Sequence, residues 1–130
     1  MNHQERISAF IELGIVLGSV AENPSESNWS VTVNQAEANN RWFTQENIAL
    51  ALKGISYMLE GEKLEKWLAT YPNIPEKGEK RVGLIMAGNI PLVGFHDLLC
   101  VLASGNTAVV KVSSQDEILP KKLLETIAEI

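Results

Sequence analysis

Two short runs decide what this chain can fold into. Val82, Leu84 and Ile85 lead into a Gly/Asn turn, and Thr107 to Val112 (TAVVKV) is β-branched over most of its length. Neither carries a helical stripe, and both read as buried strands. Between them Pro91 suits the first turn of a helix. The stretch to Ser104 is apolar nearly all round, as in a helix packed between layers, and Gly105-Asn106 closes it. Strand, helix, strand in one sheet is a βαβ unit, almost always parallel with a right-handed crossover. The expected class is α/β.

Ahead of that unit the spacing is helical. Ile7, Phe10, Ile11, Gly14 and Leu17 gather on one face of a first helix. Glu22 to Asn40 turns polar around Asn23-Pro24-Ser25 and reads as a connection with at most a short helix near Gln35 to Ala38. Thr44 has the character of an N-cap, with Phe43 and Ile48 as a hydrophobic staple. Ile48, Ala51, Leu52, Ile55, Met58 and Leu59 form the stripe that follows, with Gly61 as its stop. Leu64, Trp67, Leu68 and Tyr71 mark a third helix, with Glu62 placed to pair with Lys66, and Pro72 and Pro75 end it. The organisation expected is a helical segment over 1–75 and an α/β segment over 80–130. A last stripe, Leu123, Leu124, Ile127 and Ile130, runs to the final residue without a C-cap, and two parallel strands bury too little alone. The expectation is an incomplete fold: a truncated one, or one completed by a partner or by its own N-terminal helices.

Charge and length exclude several classes. A net charge of −5 with no Lys/Arg run argues against nucleic acid as a partner. The apolar stretch Phe10 to Ala21 is interrupted by Glu12 and is too short to span a bilayer. Cys100 is the single cysteine, which rules out an internal disulfide or a cysteine metal cluster and fits a reducing, cytoplasmic setting. No metal site is expected. Gly83, Gly88 and Gly94 do not make a G-x-G-x-x-G fingerprint, and no P-loop is present.

In an open parallel sheet ligands gather beyond the carboxyl ends of the strands, and both polar clusters of the βαβ unit lie there. One is MAGNIP, Met86 to Pro91, where Gly88 permits close backbone approach and Asn89 offers an amide donor at the mouth of a helix. The other is Val109 to Ser114, a strand ending in a cation and two hydroxyls.

The span Val82 to Asp116 resembles the opening of the cofactor domain of aldehyde dehydrogenases, with their P-W-N-F-P turn and A-x-G-N-x-x-x-x-K-P-S-E strand. GNIPLVGFHDLLCVLASGNTAVVKVSS, with WFTQENI and YMLEGEKLEKWL upstream, is similar to acyl-CoA reductases of the bacterial luminescence fatty-acid reductase type. The likeness covers most of the chain from Trp42 onward. It implies N-terminal helices followed by the first βαβ of a Rossmann-like cofactor domain. It also implies reduction of a fatty acyl-CoA to an aldehyde through a cysteine acyl-enzyme, with acyl-CoA as substrate and self-association left open. Asn89 would then donate to the oxyanion of a thiohemiacetal. Ile85, Met86, Ala87 and Gly88 would line the nicotinamide cofactor, Lys111 would face its adenosine ribose, and Ser113 and Ser114 would lie nearby.

Three departures matter. The family's Trp before Asn is Gly88, its Pro after Lys is Val112, and the acidic residue after its Ser is Ser114. Lacking that carboxylate, which would bind a free 2′-hydroxyl and repel a 2′-phosphate, the chain is expected to prefer NADP(H), with NAD second. Cys100, inside LLCVLAS, reads as a small core hydrophobe rather than the nucleophile. The chain alone is therefore not expected to turn over. His96 and Asp97, as helix neighbours, do not face each other, and Trp29, Trp42 and Trp67 read as packing. Two rival readings stand beside this one: a non-catalytic nucleotide-binding or interaction protein, and another member of the aldehyde dehydrogenase superfamily.

Overall fold

The computed structural model describes residues 1–130. Six helices and two strands follow one another as α1 (His3–Glu22), α2 (Ser30–Asn39), α3 (Gln45–Met58), α4 (Gly61–Leu68), β1 (Arg81–Ile85), α5 (Phe95–Ala103), β2 (Thr107–Lys111) and α6 (Ile118–Glu129). A single 3-10 turn at Pro24–Glu26 joins α1 to α2. No helix is long and apolar enough to cross a membrane.

Local chemistry sets most of these boundaries. Asn2 opens α1 with a capping box: its Oδ1 accepts from the Glu5 N–H at 2.9 Å, and the Glu5 carboxylate accepts from the Asn2 N–H at 2.6 Å. At α3 the Thr44 hydroxyl accepts from the Asn47 N–H at 3.2 Å, and Phe43 and Ile48 are both buried, so cap and staple stand where the sequence put them. Gly61 does not stop α3. Leu59 caps it, and Gly61 begins α4. The expected pairing of Glu62 with Lys66 is absent; instead Lys63 bonds Glu60 at 2.5 Å and lies over the Tyr57 ring.

The polar stretch read as a connection holds a ten-residue helix, α2. It has no capping side chain and little amphipathic contrast, so nothing local announces it. Its place is fixed by Trp29, Val33 and Ala36, which enter the core.

β1 and β2 pair in parallel, with Arg81 opposite Thr107 and Ile85 opposite Lys111. The expected βαβ unit is present, but its strands are not buried on both faces. Val82, Leu84, Ala108 and Val110 face the core, whereas Ile85 is 85% exposed and Val109 46% exposed. The helices cover one face only. α5 also begins later than expected: Pro91 lies in a turn, Leu92 takes φ 57°, and the helix opens at Phe95. The left-handed Leu92 turns the chain where Pro91 would have continued into a helix.

One cluster of 22 buried residues runs from α1 through α6. α1 is its spine, packing Ile7, Phe10, Leu13 and Leu17 against α3 and α5. Gly14 lets α3's end approach, since a Cβ there would lie 2.7 Å from Leu59 Cβ. Arg6 ties the helical layer to the segment before β1 by donating to the Glu76 carbonyl at 2.5 Å and the Pro75 carbonyl at 3.0 Å. A two-stranded sheet too small to stand alone is thus stabilised by helices from the first half of the chain.

Burial separates two tryptophans that composition cannot. Trp29→Ala, at 0% exposure, is expected to lower the unfolding free energy by about 3–5 kcal/mol through the cavity it leaves. Trp42→Ala, at 81% exposure, is expected to change it by no more than about 0.5 kcal/mol. Urea unfolding of both variants measures the contrast; equal losses would contradict this packing.

Candidate functional site

Beyond the carboxyl ends of β1 and β2 the chain makes two loops, residues 86–94 and 112–117, and several short-range contacts fasten them together. The Met86 N–H donates to the Lys111 carbonyl at 3.0 Å, extending the ladder past the last strand pair. Gly88 lies against the Ser113 side chain so closely that a Cβ would overlap it and would also sit 3.0 Å from Gln115 Cβ. Only glycine fits this approach. The Leu92 N–H donates to Asp116 Oδ2 at 2.7 Å in a buried hydrogen bond. The loop after β2 is folded on itself by the Asp116 N–H donating to the Ser113 carbonyl at 3.1 Å and the Gln115 N–H donating to Ser113 Oγ at 3.2 Å. From the helical layer, Asn40 Nδ2 donates to the Gln115 carbonyl at 3.1 Å.

Two cavities meet at Asn89. A polar one of about 470 Å³ is lined by Asn39, Asn40, Gly88, Asn89, Ser114 and Gln115, with Trp42 at its edge. An apolar one of about 360 Å³ lies on the other side, walled by Trp42, Phe43, Leu50, Ala51, Ile90 and Pro91. Asn89 and Trp42 belong to both. Three of the sequence-derived site residues, Gly88, Asn89 and Ser114, are therefore brought to one space from two loops.

The remaining candidates are placed differently. Ser113 is half-buried beneath Gly88. Lys111 and Ile85 are paired across the strands on the uncovered face of the sheet, outside the polar cavity. Met86 turns its side chain inward under Gly94, where a Cβ would lie 2.5 Å from Met86 Cγ. Ala87 is exposed.

Cys100 is half-buried on α5 and is not the core residue expected. Its Sγ lies 3.9 Å from His96 Nδ1. Burial and the neighbouring Asp97 charge push the thiol above its ordinary range, the reverse of an activated nucleophile. His96 and Asp97 are both exposed, and His96 lines a shallow cavity beside α3. No group of three or more His, Cys, Asp or Glu side chains is gathered to hold a metal ion.

The sequence did not reveal Asp116 or Trp42. Asp116 looks like one more polar loop residue, yet it is 4% exposed and its Oδ1 has no partner. Burial lifts its carboxyl to about 6, with the Leu92 N–H pulling the other way. Trp42 was read as packing and instead stands in solvent between the two cavities. Its flanking Asn40 and Arg41 are the only sequence hint.

Another cavity, about 620 Å³, lies elsewhere, between α1, α5 and α6. Glu76, Lys77, Gly105 and Asn106 place it at the amino ends of the strands. Its charged neighbour Arg6 is already engaged with three backbone carbonyls.

Residues 22–130 match a family model described as Acyl-CoA reductase (LuxC). No curated protein and no solved structure matches the chain.

Because the folded-state pKa of Asp116 is raised, the native chain holds a proton that the unfolded chain releases first as pH increases. The favourable contribution is complete below the usual carboxylate range near 3.8 and is lost as pH rises through about 6. Thermal unfolding across pH 4 to 7 is therefore expected to show wild type losing stability relative to Asp116→Asn, a neutral near-isostere. A constant difference between the two across that window would contradict the assignment.

Proposed function

The chain belongs to the acyl-CoA reductase (LuxC) family, and from that premise we propose that it forms the nicotinamide-cofactor and oxyanion side of a site reducing a fatty acyl thioester to an aldehyde. The observation that carries this reading is the convergence of Gly88, Asn89 and Ser114 from two strand-end loops on one polar cavity. That is where ligands sit in open parallel sheets, and the chain is taken as the opening βαβ unit of a Rossmann-like domain.

The residues fit a phosphorylated nicotinamide cofactor. The polar cavity is lined by side-chain amides and the Ser114 hydroxyl and by no carboxylate, so nothing in its lining repels a 2′-phosphate. Lys111, exposed at the end of β2 outside that cavity, is the cation we assign to the phosphate. When bound, NADPH supplies the hydride. Asn89 donates its side-chain N–H to the thioester oxygen as negative charge develops on it, a role suited to a neutral donor held in place before the reaction. Gly88 and the backbone at 85–87 give a ligand close approach, and Ser113 and Ser114 offer hydroxyls to ribose.

The nucleophile lies outside these residues. The chain's one cysteine is Cys100, with a raised thiol on α5, so the acyl-enzyme cysteine and its acid/base partner must come from elsewhere. By itself the chain binds and orients without turning over. The uncovered face at Ile85 and Val109 favours a second reading, an interaction module that docks through its sheet.

Calorimetric titration is expected to show NADP⁺ binding more tightly than NAD⁺, with Lys111→Ala weakening NADP⁺ by about tenfold and NAD⁺ much less, as for a lost charge-assisted contact. Mixing the chain with acyl-CoA and NADPH is expected to leave the reduced-nicotinamide absorbance unchanged. A clear preference for NAD⁺ would overturn the cofactor assignment.

A further inference from the structure

On α3, Asn47, Leu50, Gly54 and Met58 follow one another at three- and four-residue steps, with Ala51 four residues after Asn47, and so share one helical face. The segment from Asn89 to His96 runs opposite. Between them the apolar cavity beside Asn89, about 360 Å³, continues into a second of about 310 Å³, with Leu50, Ala51, Ile90 and Pro91 walling both. They are successive lengths of one trough that starts at Asn89 and Trp42 and ends at Met58 and His96. From Asn47 to Met58 it follows the helix for roughly 16 Å, at a rise of about 1.5 Å per residue.

The walls hold no Lys, Arg, Asp or Glu side chain. Leu50 is 69% exposed, and Ile90 and Val93 are exposed beside it. These large apolar side chains are aligned along a channel rather than scattered over the surface. Past Asn89 few side-chain donors or acceptors line it, so a peptide or a nucleobase would leave its own polar groups unpaired there. An unbranched hydrocarbon would not.

Gly54 is the odd residue of the lining. It sits inside a helix, where glycine is less favourable than any residue but proline. A Cβ at this position would meet nothing within 4 Å, so neither packing nor backbone conformation requires a glycine. Its effect is to keep the far half of the trough open.

We propose that this trough seats the alkyl chain of a linear fatty acyl thioester whose carbonyl lies at Asn89, and that Gly54 determines how long a chain is accepted. The inference rests on Asn89 marking the carbonyl position, as argued under Proposed function. Chains short enough to end beside Leu50 do not reach Gly54. Longer ones pass it and gain contact with Met58 and Val93.

The test compares hexanoyl-CoA and tetradecanoyl-CoA, each below its micelle concentration, binding to the full chain by calorimetry. In wild type the longer thioester is expected to bind more than about tenfold tighter, because each buried methylene tightens binding by roughly two- to fourfold. Gly54→Leu is expected to remove most of that advantage while leaving hexanoyl-CoA within about twofold of wild type. Replacing a helical glycine with leucine favours the helix, and an undiminished Tm confirms that lost binding is not unfolding. Leu50→Asp, which puts a charge into the near half, is expected to weaken both thioesters. Equal affinity of the two thioesters for wild type would overturn the proposal, as would an unchanged or uniform effect of Gly54→Leu. So would concentration-dependent dimerisation abolished by Leu50→Asp without any acyl-CoA binding, which would make the trough a face between copies of the chain. Asn89→Ala separates the two readings: if it leaves both thioesters bound as in wild type while Gly54→Leu still discriminates between them, the carbonyl assignment fails and the trough stands.

Discussion

The hydrogen bond from the Leu92 N–H to the Asp116 carboxylate is the constraint on which the geometry of the candidate site depends. Leu92 adopts a backbone conformation that non-glycine residues rarely take, and a buried acceptor 2.7 Å away holds it there. The turn sends Leu92 into the core and leaves Ile90 and Val93 facing out. Asn89, three residues earlier, is thereby held at the mouth of two cavities. Gly88 against Ser113 supplies a second fastening between the same loops. Residues distant in sequence are thus joined by two close contacts at one end of the sheet.

That fastening has a cost visible in Asp116 itself. A carboxylate removed from water is destabilised unless its oxygens find donors. One oxygen has the Leu92 N–H and the other has no partner, which is why burial outweighs the hydrogen bond and raises the carboxyl to about 6. Holding the loop in place therefore works against the stability of the ionised chain near neutral pH. The helical layer offsets this from the opposite end of the sheet, with Arg6 securing the approach to β1 and α1 carrying the shared core.

How much was legible in the residues follows from the same distinction between local and distant causes. Thr44, Phe43 and Ile48 announce α3 because a cap and a staple act within one turn. The parallel pair and its connecting helix follow from pattern alone, and Asn89 and Gly88 stand out because turn chemistry is local. By contrast α2 has no cap and little periodic contrast, and only its fit against α3 and α6 makes it a helix. Exposure of Ile85 and Val109 was marked only by Arg81, Thr107 and Lys111, which share their face at two-residue spacing, a signal outweighed by the β-branched run that reads as a strand buried on both faces. Pro91 misled because a proline that suits a helix's first turn also suits a tight turn. What turns the chain at Leu92 is an acceptor 24 residues away.

Trp42 shows how short-range hydrogen bonds turn a surface position into an architectural one. Its N–H donates to Asn40 Oδ1 at 3.1 Å, and its carbonyl accepts from Asn47 Nδ2 at 2.8 Å. The backbone between α2 and α3 is therefore rigid although the indole itself is exposed. The side chain stands at the junction of a polar cavity, built from the end of α2 and the loop after β2, and an apolar one, built from α3 and the loop after β1. The division at Asn89 follows from topology: α2 reaches the site with its asparagines, and α3 reaches it with an aliphatic face. A molecule lying across Asn89 would therefore meet polar side chains on one side and hydrocarbon on the other.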